Sequence, residues 1–473
     1  MKIINPDNPV NSAWLVEQGY RLDPRPYLSG AFEARKLLER LPMRKDPLQS
    51  LTAGYNGGIF NGPKFRRIYV KDPEYGVPFL GSTDIMEADL SWLPLLSKAD
   101  AKKIPYLEVR EGMTLISCSG TVGRMAYVRP DMSGFWSSQD VLKVVPDDNK
   151  IKSGYLHAFL ASEYGQSLIT GSAYGAIIQH IEPYHIADLG VPRFEEALEN
   201  RIHTLIQEAA ELRASYQAGV VAATEDLFTS ADLPELTNFQ WHKQPRDLGF
   251  SVSGANSTTL RALNFSPRVQ QVLETLRSVP HWTLGEICEG GQLSRGNRFT
   301  RIDSGPEHGV QLVGQRQGFW LRPQGRWVTV SDGRASQLLP VKETILIAAQ
   351  GTLGENEVYC RPIFAAGRWL NYAFSEHFLR VLPGANDLPG AYLFALLRSN
   401  AVFRVFRSMS AGGKQQDINA ELRKGLPVPL CTPEDRERIA EKVRQAYRER
   451  DLADDKEDEA LRLLDEAVRE AAR

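Results

Sequence analysis

The chain contains one segment twice, about 237 residues apart. The stretch SQDVLKVVPDDNKIKSGYLHAFLAS, which begins at Ser138, matches SEHFLRVLPGANDLPGAYLFALLRS, which begins at Ser375. At the same offset, Gln179 and Val191-Pro192 match Gln416 and Val428-Pro429. Because an internal repeat determines the architecture before any local signal does, this offset predicts two copies of one domain.

Each copy is predicted to be rich in short strands and to continue into a helix. Short β-branched runs bounded by Gly and Pro predict the strands. These are Thr114–Ser117, Met125–Val128 and Val141–Val145 in the first copy, and Thr344–Ala348, Glu357–Cys360 and Phe378–Leu382 in the second. The helices Gly154–Leu168 and Ala391–Phe406 are predicted to follow them. The segments GTVG (120–123) and GTLG (351–354) predict tight turns with glycines at positive φ.

A long helix is predicted after each Val-Pro pair, because apolar residues recur there at heptad spacing. The predicted seam positions are Leu198, Ile202, Leu205 and Ala209 in the first helix, and Ile439, Val443, Ala446 and Leu464 in the second. Arg450 and Glu457 interrupt the second seam, so looser pairing is expected there. Thr432 is the predicted N-cap, followed by Pro433 at N1. We expect the two helices to pack antiparallel, with a globular domain at either end.

These patterns divide the chain into five segments. They are residues 1–193 (first domain with an N-terminal extension), 194–228 (first helix), 229–260 (connector), 261–431 (second domain) and 432–473 (second helix).

The composition excludes a mainly disordered chain, a collagen-like fibre and a small protein held together by disulfides. With 42% hydrophobic and 24% charged residues, the 473-residue chain has an ordinary globular balance. The four cysteines form no CxxC pair, and buried, reduced thiols are expected. No stretch is long and apolar enough to span a membrane. The first residues also lack the apolar run of a signal peptide, so a cytoplasmic location is expected.

The net charge of −2 is an average over unlike segments. Residues 194–228 carry −5 and residues 432–473 carry −4, so removing both from the total leaves +7 for the rest of the chain. The sequence therefore combines acidic helices with mildly basic domains, a division that the total hides.

No motif indicates catalysis. The sequence has no GxxxxGK[ST] phosphate loop, no GxGxxG, no HExxH and no GxSxG. His180 and His185 lie close together, but no carboxylate or cysteine completes a metal site around them. No catalytic or metal-ligating residue is assigned.

Polar and basic side chains concentrate instead in the predicted loops. Arg and Lys neutralise phosphates, and Arg or Gln can read base edges in the major groove. For any single residue, base contact, phosphate contact and a solvated surface all remain open. The candidate DNA-binding residues are Lys64, Arg66, Arg67, Ser82, Thr121, Arg124, Tyr174 and Gln179 in the first copy, and Arg295, Arg298, Arg301, Gln315, Arg316, Gln317, Thr352, Lys414 and Gln415 in the second.

With these motifs in this order, the sequence resembles the DNA-specificity (S) subunits of type I restriction–modification enzymes. The segments that resemble the family are PFLGSTDI (78–85), SGTVGR (119–124), SSQDVLKVVPD (137–147), YGAIIQHIEPYHIADLGVP (174–192) and the weaker second set at 312–317, 350–354 and 412–429. The implied fold is α+β, with two β-rich target recognition domains related by a pseudo-twofold axis and joined by long antiparallel coiled-coil helices. The second copy departs from the pattern, because QGTLGENE lacks the basic residue after its second glycine.

The resemblance implies a non-catalytic, sequence-specific subunit that reads a bipartite target in double-stranded DNA. Two methyltransferase (M) subunits would dock on the helices, and the sequence leaves open whether restriction/translocation (R) subunits join. S-adenosylmethionine, ATP and Mg²⁺ are expected on those partners and no cofactor on this chain. The alternative is a non-catalytic protein-binding scaffold of a defence complex with little DNA specificity.

Overall fold

The computed structural model describes residues 10, 12–17, 20, 22, 27, 29–174, 179–253, 258–330, 337–384 and 387–473. The chain divides into two compact units. Unit 1 comprises Met1–Glu87, Ser91–Ala214 and Leu452–Arg473, and unit 2 comprises Ala88–Leu90 and Ser215–Asp451. The YGAIIQ segment of the sequence analysis lies partly outside the described residues, at 175–178.

Unit 1 is built from short strands that form two four-stranded sheets and two ribbons. The strands are β1 (Lys45–Pro47), β2 (Ile59–Phe60), β3 (Tyr69–Val70), β4 (Gly76–Leu80), β5 (Leu95–Ser97), β6 (Thr114–Ser117), β7 (Ser119–Gly120), β8 (Met125–Tyr127), β9 (Trp136–Ser137), β10 (Val141–Val144), β11 (Gln179–His180) and β12 (Gly190–Pro192). One sheet has the order β2-β10-β6-β8 and the other β3-β5-β4-β9. β10 and β6 are buried along their whole length, although β6 contains Thr114 and Ser117 and β10 contains Lys143.

Unit 2 repeats this arrangement. Its strands are β13 (His281–Thr283), β14 (Gln292–Arg295), β15 (Ile302–Asp303), β16 (Val310–Val313), β17 (Arg326–Thr329), β18 (Ile345–Ala348), β19 (Gln350–Gly351), β20 (Pro362–Phe364), β21 (Ala373–Phe374), β22 (Phe378–Leu382), β23 (Ser410–Gly412), β24 (Gln416–Ile418) and β25 (Pro427–Pro429). The sheet orders are β14-β22-β18-β20 and β15-β17-β16-β21.

The two units share the topology of both four-stranded sheets, whereas the ribbon of β7 and β11 in unit 1 corresponds to a three-stranded sheet, β19-β24-β23, in unit 2. In both second sheets the last pair is parallel, β4 with β9 and β16 with β21, whereas the other neighbours are antiparallel. The ribbon of β1 and β12 corresponds to that of β13 and β25. The duplication and the α+β fold expected from the sequence are therefore confirmed.

The helices complete both units. They are α1 (Ser12–Glu17), α2 (Ala31–Arg40), α3 (Lys98–Ala101), α4 (Ser153–Ala161), α5 (Glu163–Gly171), α6 (Glu196–Ser230), α7 (Pro234–Thr237), α8 (Pro267–Arg277), α9 (Leu284–Ile287), α10 (Gly390–Leu397), α11 (Asn400–Ser408), α12 (Ala420–Lys424) and α13 (Pro433–Ala471). Among the helices of the described residues, none combines the length and apolarity that a membrane crossing needs.

The prediction of a single helix after the strands of each copy is wrong, because two shorter helices form there in each unit. Ser162 separates α4 from α5, and its hydroxyl accepts a hydrogen bond from the Gly165 amide at 3.3 Å. Ser399 separates α10 from α11 and accepts from the Val402 amide at 3.2 Å. An N-cap serine has extended backbone, so it ends one helix and begins the next.

Two other predictions for the second copy are wrong. No strand forms at Glu357–Cys360, and the edge strand next to β18 is Pro362–Phe364. Gly120 and Gly123 have φ of 77° and 90° as predicted, but the second turn does not have glycines at positive φ. Gly351 serves a close approach instead, because a Cβ there would lie 2.8 Å from the Tyr359 Cβ.

The repeated unit begins earlier than the sequence match indicated. α2 packs on α5, as α8 packs on α11. β1 follows α2 as β13 follows α8. The residues from Ala31 onward therefore take part in the duplicated architecture.

The long helices are antiparallel partners within each unit. In unit 1, Arg201 pairs with Glu459 at 2.8 Å and Lys456 with Glu208 at 2.6 Å, so sequence numbers rise along α6 as they fall along α13. In unit 2, Arg438 pairs with Asp226 at 2.7 Å. The antiparallel packing is confirmed. Of the predicted seam residues, Leu198 is partly buried and the other seven are buried: Ile202, Leu205, Ala209, Ile439, Val443, Ala446 and Leu464.

The predicted loosening of the second seam is wrong, because polar contacts fill both interruptions. In unit 2, Arg450 is 1% exposed and its guanidinium lies 3.7 Å from the centre of the Trp369 ring. In unit 1, Glu457 accepts a hydrogen bond from Arg213 at 2.6 Å. A planar guanidinium stacks on an aromatic face or pairs with carboxylates, so arginine is tolerated in both places.

Candidate nucleic-acid interface

A short ribbon at the edge of unit 1 brings three candidate residues together. β7 pairs with β11 so that Gly120 lies opposite Gln179. Tyr174 forms two backbone hydrogen bonds with His180, of 3.0 and 2.8 Å. Thr121 and Tyr174 are exposed, and Gln179 is half-buried. The ribbon therefore places a hydroxyl, a phenol and an amide on one accessible edge.

The Ser117 side chain fixes the turn between β7 and β8 through two hydrogen bonds. Its hydroxyl donates to the Thr121 carbonyl at 2.6 Å and accepts from the Arg124 amide at 3.0 Å. Gly123 has a positive φ, and a Cβ at this position would lie only 2.5 Å from the Thr170 methyl group. Both the backbone and the space therefore favour glycine here. The loop that presents Thr121 and Arg124 therefore has one defined shape.

The basic segment before β3 presents two exposed cations and one that is bonded inward. Lys64 and Arg66 are exposed. Arg67 donates to the Gln139 side chain at 2.7 Å and to Asp140 at 3.2 Å. Arg67 therefore ties this segment to the turn before β10.

Ser82 lies close to the same turn. It is half-buried and follows β4, whose Leu80 carbonyl accepts from the Ser138 amide at 2.8 Å. Through these contacts, the loops that carry Arg67 and Ser82 converge on residues 138–140.

The phenol of Tyr174 stays neutral at physiological pH. Partial desolvation and the nearby Glu182 carboxylate raise its pKa above the ordinary value, because both disfavour the phenolate. Its hydroxyl donates to Glu182 at 3.4 Å. A neutral, exposed phenol can stack on or hydrogen-bond to a partner without adding charge.

Unit 2 presents its equivalent edge on the hairpin of β23 and β24. Lys414 and Gln415 lie at the exposed tip of that hairpin. β19 pairs with β24, which places the exposed Thr352 beside the same edge. The sequence motifs 350–354 and 412–416 are therefore neighbours in space.

Arg261, which no sequence motif indicates, anchors this hairpin. Its guanidinium donates to the carbonyls of Ser410 and Gly412 at 3.2 and 3.1 Å and to the Gln416 side chain at 2.7 Å. It lies about 150 residues from the hairpin in sequence, so no local pattern indicates the contact.

Three candidates of unit 2 are bonded within the protein. Arg295 pairs with Asp417 at 2.5 Å and donates to the Ala349 carbonyl at 2.9 Å. Arg301 pairs with Glu376 at 2.6 Å. The Gln315 side chain donates to the Gln350 carbonyl at 2.7 Å and accepts from the Gln350 amide at 3.1 Å. These contacts fix the loops, whereas Arg298 is exposed and Arg316 and Gln317 are half-buried.

Matching residues have matching environments in the two units. Ile59–Phe60 and Gln292–Arg295 pair with β10 and β22 so that Phe60 lies opposite Lys143 and Ser294 opposite Arg380. Counting onward from these positions, Lys64 corresponds to Arg298 and Arg67 to Arg301. Lys64 and Arg298 are both exposed. Arg67 bonds the loop before β10, and Arg301 bonds the loop before β22.

The remaining candidate groups are the potential metal ligands and the cysteines. Within the described part of the chain, no cluster of His, Cys, Asp and Glu could hold a metal ion. The four cysteines are free and buried, as expected. Burial raises the pKa of Cys118, Cys288 and Cys360 to about 12, so these thiols stay protonated.

The chain is similar to three solved proteins of type I restriction–modification systems. An S subunit from M. genitalium is 13% identical over 91% of this chain and 96% of that one, with a TM-score of 0.38. A chain studied for complex assembly and conformational transition of the type I R-M system is 12% identical over 92% and 98%, with a TM-score of 0.27. The HsdS subunit from Thermoanaerobacter tengcongensis is 12% identical over 92% and 97%, with a TM-score of 0.26. No protein-family model matches the chain, and no curated protein matches it.

Proposed function

We propose that the chain is the DNA-specificity subunit of a type I restriction–modification or methyltransferase complex, with each unit reading one half of a bipartite target. The observation that supports this most is the duplicated topology with polar loops at the same place in both copies. A duplicated reader matches a target made of two separate half-sites.

The exposed side chains suit contact with a duplex. Lys64 and Arg66 in unit 1 and Arg298 and Lys414 in unit 2 are exposed cations that can neutralise phosphates. Gln179 and Gln415 carry amides that can bond adenine in the major groove. Arg67, Arg295 and Arg301 would act by positioning these loops, since their guanidinium groups already bond carboxylates.

The long helices are proposed to set the spacing of the half-sites and to dock methyltransferase subunits. In unit 2, a groove of about 740 Å³ runs between α6 and α13. Its small residues include Ala218, Gly219 and Ala446, and its rim carries Lys442 and Glu449. A floor of small apolar residues with charged edges fits a partner helix. The partners would supply S-adenosylmethionine chemistry, ATP and Mg²⁺, and this chain would catalyse no reaction.

Duplex binding of the full chain over a salt series tests the proposal. We expect a preference for one split sequence and a steep salt dependence, because each neutralised phosphate contributes close to one unit of slope. Lys64→Ala should weaken binding through one half-site and Arg298→Ala through the other. Arg462→Ala, which removes an exposed arginine from α13, is the matched control and should leave DNA binding unchanged.

Other outcomes would contradict the proposal. Salt-insensitive binding with no sequence preference, together with binding to proteins, would instead support the scaffold function. Loss of preference in both half-sites from either single variant would show that the units do not read DNA independently.

A further inference from the structure

Unit 2 contains a pocket that is rich in arginine. It has a volume of about 530 Å³ and lies between β14 with the loop after it, the segment 337–341 and β22. Arg295, Arg298 and Arg380 line it, with Leu338 and Leu339 on the apolar side. No acidic residue lines the pocket among the residues that the structure describes. Three arginine residues therefore line one concave space.

Arg380 is the buried member of this group. Its side chain is 4% exposed, and it donates to the carbonyls of Leu339 and Leu338 at 3.2 and 2.6 Å. Its Nε has no hydrogen-bond partner, and no described carboxylate lies within ion-pair distance of its guanidinium. A buried cation without a counter-charge is costly, so an anion in the pocket would stabilise it. Burial accordingly lowers the pKa of Arg380.

The loop after β14 packs directly beside the Arg380 head group, which is one of the groups that line the pocket. A Cβ at Gly296 would lie 3.7 Å from the Arg380 Nε. Arg298 follows two residues later and is exposed. The nearby Glu376 already pairs with Arg301 at 2.6 Å, and Arg295 already pairs with Asp417 at 2.5 Å. Arg298 and Arg380 are thus the cations of the pocket whose charge no described carboxylate neutralises.

Unit 1 closes the same position with an aromatic ring. Lys143 corresponds to Arg380 in the central strand and is fully buried, with its Nζ donating to the Val141 carbonyl at 2.9 Å. Phe60 lies opposite Lys143, 5.6 Å from Nζ to the ring centre, where unit 2 has Ser294. Ser294 has a smaller side chain than Phe60, is exposed and lines the pocket of unit 2.

We propose that Arg298 and Arg380 form a phosphate-binding site in this pocket. Guanidinium forks match the oxygens of a phosphoryl group and bind them in pairs, which favours phosphate over chloride. The phosphoryl group comes either from the DNA backbone or from free phosphate. The DNA source rests on the proposed function, whereas binding of free phosphate does not.

Inorganic phosphate added to the full chain tests the site without DNA. Calorimetric titration and thermal melting at matched ionic strength, with chloride as the reference anion, should detect binding that is specific for phosphate. Ser294→Phe keeps every arginine but introduces the ring of unit 1, and it should weaken phosphate binding at least tenfold. Arg298→Ala, at an exposed position, should also weaken it at least tenfold. Lys143→Met, at the covered position of unit 1, is the control and should leave phosphate binding unchanged.

Duplex DNA identifies the source of the phosphoryl group. If the DNA backbone fills the pocket, phosphate competes with duplex, and Ser294→Phe lowers the salt slope by about one. If free phosphate fills it, phosphate binds and DNA affinity is the same in Ser294→Phe as in the parent. Phosphate binding by a chain that binds no DNA would support the pocket and contradict the proposed function. Phosphate binding no stronger than chloride binding, or phosphate binding by Ser294→Phe and Arg298→Ala as strong as that of the parent, would overturn the pocket.

Discussion

Removal of the Arg213 side-chain charge tests how the polar part of the helix pair is stabilised in unit 1. Arg213 bonds Asp454 at 2.9 Å and Glu457 at 2.6 Å, and the three side chains are 8%, 8% and 16% exposed. Arg213→Met keeps the volume but removes a buried cation that contacts two poorly solvated carboxylates. Because breaking a buried pair costs more than the pair itself contributes, we expect the free energy of unfolding to fall by about 3–5 kcal/mol.

Urea denaturation of the full chain, followed by far-UV circular dichroism, measures this loss. Arg201→Met is the matched control, because Arg201 pairs with Glu459 across the same two helices but the side chains are 54% and 36% exposed. It should cost less than about 1 kcal/mol. Arg213→Met/Asp454→Asn/Glu457→Gln should recover most of the loss, since no buried charge is then left unpaired. Equal effects of Arg213→Met and Arg201→Met, or no recovery in the triple variant, would refute the reasoning.

Two further predictions concern unfolding free energies measured in the same way. Burial lowers the pKa of His157 from 6.5 to about 4. Between about pH 6.5 and pH 4, His157 is therefore protonated in the unfolded chain and neutral in the folded chain. Stability should therefore fall as the pH drops through this window, by about 2 kcal/mol at pH 5 relative to pH 7; His157→Gln should lack this part of the loss, and an identical pH dependence in the variant would contradict it. Ser162→Ala and Ser399→Ala should each cost about 1 kcal/mol, because each removes the cap of an equivalent helix; unchanged midpoints in both would show that the caps do not stabilise the breaks.

Periodic and repeated features of this chain could be predicted from its sequence. The duplication, the strands Thr114–Ser117 and Phe378–Leu382 and the two antiparallel helices all follow from spacing along the chain. Such signals are local or repeat at a constant offset, so they need no knowledge of which distant residues meet. The break at Ser162 was missed because the apolar pattern continues across it, although an N-cap serine could have indicated it.

The partners of individual polar side chains could not be predicted. From the sequence, Arg67 is open to base contact, phosphate contact or a solvated position, whereas in the structure it bonds Asp140, more than 70 residues away. Arg450 looked like a defect in a heptad seam, but it stacks on Trp369. A residue type specifies what a side chain can bond, whereas its partner is set by the packing of elements far apart in sequence.

The sequence by itself determined that this protein has two copies of one β-rich architecture and a pair of long helices. Only the tertiary structure decided which of the candidate residues remain accessible. Lys64 and Arg298 point to solvent while their neighbours Arg67 and Arg301 bond carboxylates. It also decided that the buried cation of unit 2 faces an open pocket while that of unit 1 lies under Phe60. The physical reason is that burial and ion pairing depend on what covers a side chain, and the covering residues come from other strands.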